Sequence, residues 1–141
     1  SRFAMENGLA VKPGGFRLYH APCHDSLKNA GAQLLETFGG YQVTAVPHCC
    51  SESGTLALSR PDISEAMRER KADALRKAAA SLKGRSILLT NCPSCLQGLG
   101  RNAALNVQPR HLTVELAINC GGEHWESELR QMLTNAETIV F

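Results

Sequence analysis

Aromatic rings are scarce in this chain, at 5% of residues, and neither sign of charge dominates. Fifteen Lys and Arg face thirteen Asp and Glu, for a formal net charge of +2. A nucleic-acid surface would need a basic stripe interleaved with stacking rings, so that class is excluded. No run of apolar residues approaches the roughly 20 needed to span a bilayer. There is no internal repeat and no low-complexity segment. The first residue is Ser1 rather than Met, so the chain reads as a piece of a larger parent protein, with any targeting signal outside it. What is present suits one domain: 141 residues, 43% of them hydrophobic, are enough to bury a core. The segment ending in Lys12-Pro13-Gly14-Gly15 reads as a linker or remnant over 1–15, leaving a single domain over 16–141.

Hydrophobic periodicity divides that domain into strands and helices in alternation. Phe16-Arg17-Leu18-Tyr19 reads as a first strand, followed by a helix over 25–38 and a second strand over Tyr41 to Val46. A short helix is expected over Ser51 to Leu58. A long one should run from Pro61 to about Lys83, with Ile63, Met67, Ala74, Ala78 and Leu82 inward. Its charges, Arg68 and Lys71 among them, read as a solvated face. Ser86 to Thr90 is a third strand whose unbroken Ile87-Leu88-Leu89 core suits a strand covered on both faces. A helix starts near Pro93, a short strand lies near Leu105-Asn106-Val107, and helices over 111–119 and 124–133 close the chain. Glu137 to Phe141 is a last strand or a loose end. Strands separated by helices imply parallel pairing through right-handed crossovers. The expected fold is therefore α/β: a small open, mostly parallel sheet with helices on both faces.

Six cysteines lie at 23, 49, 50, 92, 95 and 120. A secreted disulfide framework is a poor reading, because the chain is long and well patterned, and adjacent Cys49 and Cys50 could join only with strain. Reduced thiols in a cytoplasmic protein, serving metal or redox chemistry, fit better. Cys23 follows the first strand, Cys49 and Cys50 the second, Cys92 and Cys95 the third. In a parallel sheet these positions share the carboxyl edge, where open α/β sheets carry their sites. Neighbouring strands are about 4.8 Å apart, so the five sulfurs should gather within roughly 10 Å of one point. Each locus also precedes a helix whose positive end favours thiolates. Five thiolates in one pocket repel unless a cation or cluster neutralises them. Cys120 falls outside this pattern and reads as a structural thiol.

The runs Tyr19-His20-Ala21-Pro22-Cys23-His24, Pro47-His48-Cys49-Cys50-Ser51-Glu52-Ser53-Gly54 and Thr90-Asn91-Cys92-Pro93-Ser94-Cys95 together resemble the CCG, or cysteine-rich, domain family, over about residues 16 to 118. The family pattern is a single Cys, a Cys-Cys pair usually followed by Gly, and Cys-x-x-Cys; here Ser51 takes the place of that Gly. The family includes the catalytic subunit of heterodisulfide reductase and iron–sulfur subunits of glycolate and lactate oxidases. Similar domains end large FAD-linked oxidoreductases of the D-lactate dehydrogenase type, which this chain resembles most. The resemblance implies that Cys23, Cys49, Cys50, Cys92 and Cys95 hold an iron–sulfur cluster of 4Fe-4S type, or zinc. It also implies FAD elsewhere in the parent, flavin and ferredoxin-like domains as partners, and a cytoplasmic place, at the inner membrane face if partners bring it there.

His20, His24 and His48 flank the cysteines and could be ligands by chemistry. The simpler reading makes them neighbours that hydrogen-bond sulfur or backbone. Asn91 and Ser94 are candidate donors to sulfur, and Ser51 and Ser53 candidate helix caps. His111 and His124 read as surface or capping residues. Three functions stay open at this point: an electron-transfer domain, a docking domain fastened by zinc, and a metal-free thiol–disulfide enzyme using Cys92 and Cys95.

Overall fold

Leu18 and Tyr19 are neighbours on one strand, so they point to opposite sides, yet both are buried. Leu88 and Leu89 repeat the pattern, so two strands must be covered above and below. The computed structural model, which describes residues 14–52, 56–80, 82 and 84–135, shows how. Its strands are β1 (Phe16–Tyr19), β2 (Gln42–Ala45), β3 (Ser86–Thr90) and β4 (Val107–His111). They form one parallel sheet in the order β2-β1-β3-β4. The helices are α1 (Gly31–Gly39), α2 (Leu56–Ser59), α3 (Pro61–Ala79), α4 (Pro93–Gly100), α5 (Leu112–Gly121) and α6 (Trp125–Asn135), with a 3-10 turn at Ala103–Leu105. The α/β reading with a parallel sheet is therefore correct.

Two apolar clusters lie on the two faces. Leu18, Val46, Leu88 and Val107 pack with Leu75 of α3 and with Cys95 and Leu99 of α4. Tyr19, Tyr41 and Leu89 pack with Leu35 of α1 and with Leu112 and Leu116 of α5. Pro109 sits in β4, an outer strand, where a missing N–H is tolerated.

Several boundaries differ from the sequence reading. The first helix begins at Gly31, not at 25. Asp25 is the reason: its carboxylate accepts the backbone N–H of Leu27 at 2.9 Å and of Asn29 at 2.7 Å. Such side-chain bonds compete with a helix, and Lys28 and Asn29 turn through the left-handed region. Only glycine fits at 31, where a Cβ would overlap the Tyr19 ring. The fourth strand lies later than expected, after the 3-10 turn. The long helix ends at Ala79; Ala74, Ala78 and Leu82 of the expected stripe pack against the core, but the most buried positions lie beside that stripe. Ser64, Lys71 and Leu75 are inside, whereas Ile63 is 38% exposed. Lys71 is therefore not solvated; it is 1% exposed. Among the described residues the short helix covers Leu56–Ser59; residues 53–55, with the expected cap Ser53, lie outside the described ones. So do 1–13, most of the expected linker, and the tail 137–141. His111 does cap a helix: its Nδ1 accepts the Thr113 N–H at the start of α5.

One buried ion cluster crosses the sheet. Glu115 on α5 is 2% exposed and accepts from Arg17 of β1 at 2.6 Å and from Arg110 of β4 at 2.5 Å. Removing the carboxylate leaves two guanidinium groups facing each other with little water to screen them. Glu115→Ala is expected to cost about 2–3 kcal/mol in denaturant unfolding, less than for a fully buried pair because both arginines keep some solvent contact.

Candidate metal centre

The order β2-β1-β3-β4 means that the chain leaves β1 for one side of the sheet and later returns to the other. The connections diverge between β1 and β3, and a crevice opens at their carboxyl ends. The cysteine loops lie at that rim.

The loop after β1 starts with His20, whose N–H still bonds Leu89 O at 2.8 Å, so its imidazole is held against the sheet and buried. Cys23 follows on the exposed part of the loop. The loop after β2 carries the cysteine pair between His48 and Ser51, both with positive φ, 72° and 61°. Side chains adopt that conformation at some cost, so its use at two flanking positions marks a constrained turn. It also explains physically why glycine suits position 51. Ser51 anchors its hydroxyl to the Ser64 Oγ at 3.0 Å on α3. After β3, Cys92 is the N-cap of α4, Pro93 opens the helix, and Cys95 is buried in its first turn.

The five sulfurs come together. Cys50 and Cys95 approach to 3.2 Å, and Cys23 and Cys49 to 3.5 Å. Cys23, Cys50, Cys92 and Cys95 line one cavity of about 200 Å³ with Pro22, His24 and Ser94. Cys49 reaches the same site through Cys23 and also lines a neighbouring groove with Tyr19, Val46 and His48. A ring nitrogen of His20 and the Cys50 and Cys95 sulfurs all lie within 4.8 Å of one another. All six cysteines are free thiols; Cys120, exposed in the last turn of α5, takes no part in these contacts.

The electrostatics are uneven. A hydrogen bond from Cys95, with His20 nearby, holds the Cys50 thiol well below the ordinary range. The same contact, with burial and Cys92 beside it, pushes Cys95 up. Their contact thus favours the charged form at Cys50 over Cys95. Burial, helped by Cys23, raises Cys49.

His24 lines the cavity and is exposed; His48 is exposed on the far side of the pair. Asn91 does not turn to sulfur. Its amide donates to Asp25 at 2.7 Å and to Ser26 at 3.3 Å, while its oxygen accepts from Tyr19 at 3.1 Å. Asn91 thereby ties the loop after β1 to the loop after β3. Burial and the Asp25 charge push the Tyr19 phenol up to about 12, so it remains a donor at any ordinary pH. Packing also fixes the loop after β2. A Cβ on Gly98 of α4 would lie 2.7 Å from the Cys50 carbonyl oxygen and 2.9 Å from Glu52 Cβ, and Arg101 holds Glu52 at 3.0 Å. Gly98→Ala is expected to destabilise the chain by about 1–3 kcal/mol, read from the denaturation midpoint, because backbone rather than a side-chain tip must give way.

Sequence reasoning missed Lys71. Its Nζ donates to Val46 O and Pro47 O, each at 2.9 Å, and lies 3.1 Å from His20 Nδ1. A signal was present: Lys71 follows Met67 by four residues and precedes Ala74 and Ala78 by three and seven, which places it on their side of the helix.

The pattern described as CCG, cysteine-rich domain, matches residues 17–100, more than half of the chain. The chain belongs to the CCG cysteine-rich domain family. Among curated proteins, it is similar to Lactate utilization protein A 1 of Bacillus mycoides (strain KBAB4), at 31% identity over 97 residues, covering 64% of this chain and 38% of that protein. It is also similar to a subunit of the CoM/CoB fumarate reductase of Methanothermobacter marburgensis, at 25% identity over 116 residues, covering 70% of this chain and 23% of that one. This CCG domain therefore spans well under half the length of either relative. No solved structure is a significant match. Among the described residues, no helix is long and apolar enough to cross a membrane.

Proposed function

We propose that this CCG domain holds an iron–sulfur cluster on Cys23, Cys49, Cys50, Cys92 and Cys95 and serves electron transfer within a larger flavin-linked oxidoreductase of the lactate or glycolate type. The observation that carries the reading is the meeting of sulfurs from three loops at the crevice between β1 and β3. The donor set fits: thiolates are the ligands of iron–sulfur clusters, one of these is already favoured as thiolate, and the polar atom His20 Nε2 is buried without a hydrogen-bond partner. A cluster bound there would supply one-electron chemistry. The chain's own part is to present the sulfurs, to pack Val46 and Leu99 in one cluster with Cys50 and Cys95, and to hold the loops through Asn91 and Gly98. One relative is described as a lactate utilization protein and the other as a reductase subunit, which supports the lactate and the redox parts of the reading respectively. On this reading FAD and ferredoxin-like centres belong to other domains of the parent or complex, in the cytoplasm.

One observation favours a second reading. His20, Cys50 and Cys95 form a tight trio, and with Cys92 they would make the four-donor set of a structural zinc site. Anaerobic purification followed by iron, sulfide and zinc assays separates the two. Iron and acid-labile sulfide in equal amounts are expected. Zinc alone at one per chain would favour the fastening role, and fully reduced anaerobic protein that takes up no metal would overturn both.

A further inference from the structure

His20 is close enough to Cys50 and Cys95 to be a ligand, and distance alone does not decide its role. Its other neighbour does. We propose that Lys71 is a positioning residue that fixes His20 as the Nε2–H tautomer, so that His20 donates a hydrogen bond to the Cys50 and Cys95 sulfurs instead of binding the metal. This rests on the metal-centre reading above.

An ammonium has three N–H donors and no acceptor. Lys71 Nζ has three acceptors around it: Val46 O, Pro47 O and His20 Nδ1, at 2.9, 2.9 and 3.1 Å. With lysine in its ordinary charged form the count closes, and Nδ1 is then the bare nitrogen of a neutral ring. The proton of that ring is then on Nε2. Nε2 is buried, has no hydrogen-bond partner, and belongs to a ring that approaches the two sulfurs within 4.8 Å. A protonated Nε2 has no lone pair for a metal; its chemistry there is to donate to thiolate.

The alternative is a neutral Lys71 accepting from Nδ1–H, which would free Nε2 as a ligand. Two backbone carbonyl oxygens, Val46 O and Pro47 O, each accept from Nζ at 2.9 Å; such bonds favour the charged amine, and the Cys50 charge opposes the lowering by burial. Lys71 is also placed to be an internal counter-charge. It is the buried cation of α3, behind the β1 and β2 loop ends, and it lies one residue shell away from the sulfurs.

The test is NMR of the reduced 141-residue chain carrying isotope-labelled histidine, both metal-free and loaded with NMR-active cadmium. At neutral pH, His20 should show a proton on Nε2, none on Nδ1, and no scalar coupling to cadmium. A proton on Nδ1, protons on both nitrogens, or cadmium coupling at His20 overturns the proposal. In Lys71→Met, His20 should lose its single tautomer. Cadmium stoichiometry should stay unchanged and affinity should fall about 10- to 100-fold, the usual effect of losing a partner behind the ligands. A pure Nε2–H tautomer in that variant would overturn the assignment to Lys71. If Lys71→Met does not fold, the wild-type spectrum still decides. His20→Gln, which keeps an N–H donor, should retain stoichiometric cadmium; loss of the metal would make His20 a ligand. The two readings fail separately. Chain that binds no metal sinks the metal centre while the metal-free spectrum still reports the tautomer, and cadmium coupling at His20 sinks the tautomer while the metal centre stands.

Discussion

Cys50→Ser is expected to weaken metal binding by at least about 100-fold, whereas Cys120→Ser should leave it unchanged. A structural zinc site gains on the order of 10–16 kcal/mol from four donors, so one lost thiolate is worth roughly a quarter of that, or two decades in affinity. Cys50 is the strongest candidate for so large an effect. It is 5% exposed, it contacts Cys95 at 3.2 Å, and its environment favours the charged form. Serine cannot ionise there, and its loss also removes the partner that orients Cys95. Cys120 shares none of these contacts and controls for handling of thiols. Anaerobic competition against a chelator measures both variants, and equal affinity in Cys50→Ser and wild type would remove Cys50 from the centre.

Metal affinity should also climb steeply with pH, by at least about 100-fold per pH unit across the neutral range. A metal binds thiolates, so every thiol still protonated in the metal-free chain must release its proton, and each released proton contributes a factor of about ten per pH unit. Cys49 is pushed up chiefly by burial, and Cys95 chiefly by its bond to Cys50. Both therefore stay protonated at neutral pH when no metal is bound. At least these two protons leave on binding, so affinity is gained as pH rises and lost as it falls. Proton release can be counted in weakly buffered solution alongside the affinity. A slope near zero would mean that neither Cys49 nor Cys95 is a ligand.

The strands and the cysteine positions were legible because both depend on short-range pattern. Ile87-Leu88-Leu89 marks a strand covered on two sides wherever it occurs, and a cysteine just past a parallel strand falls on the carboxyl rim whatever the helices do. The first helix was misread because an apolar stripe through Leu27, Ala30 and Leu34 ignores the Asp25 side chain, which bonds the backbone of the turn before the helix can start. Lys71 was misread for a different reason. Charge argues for solvent, and only the fold reveals two carbonyls and an imidazole waiting at the end of a buried stem. Asn91 looked like a sulfur donor from its place beside Cys92; its partners come from a loop over sixty residues earlier in the chain, which no local pattern encodes.

The cysteine pair sends its two sulfurs to different partners: Cys49 reaches Cys23 while Cys50 reaches Cys95. A single dipeptide at the tip of β2 thus clasps the loop after β1 with one hand and the first turn of α4 with the other. Any tug on that tip is transmitted to both flanking segments together.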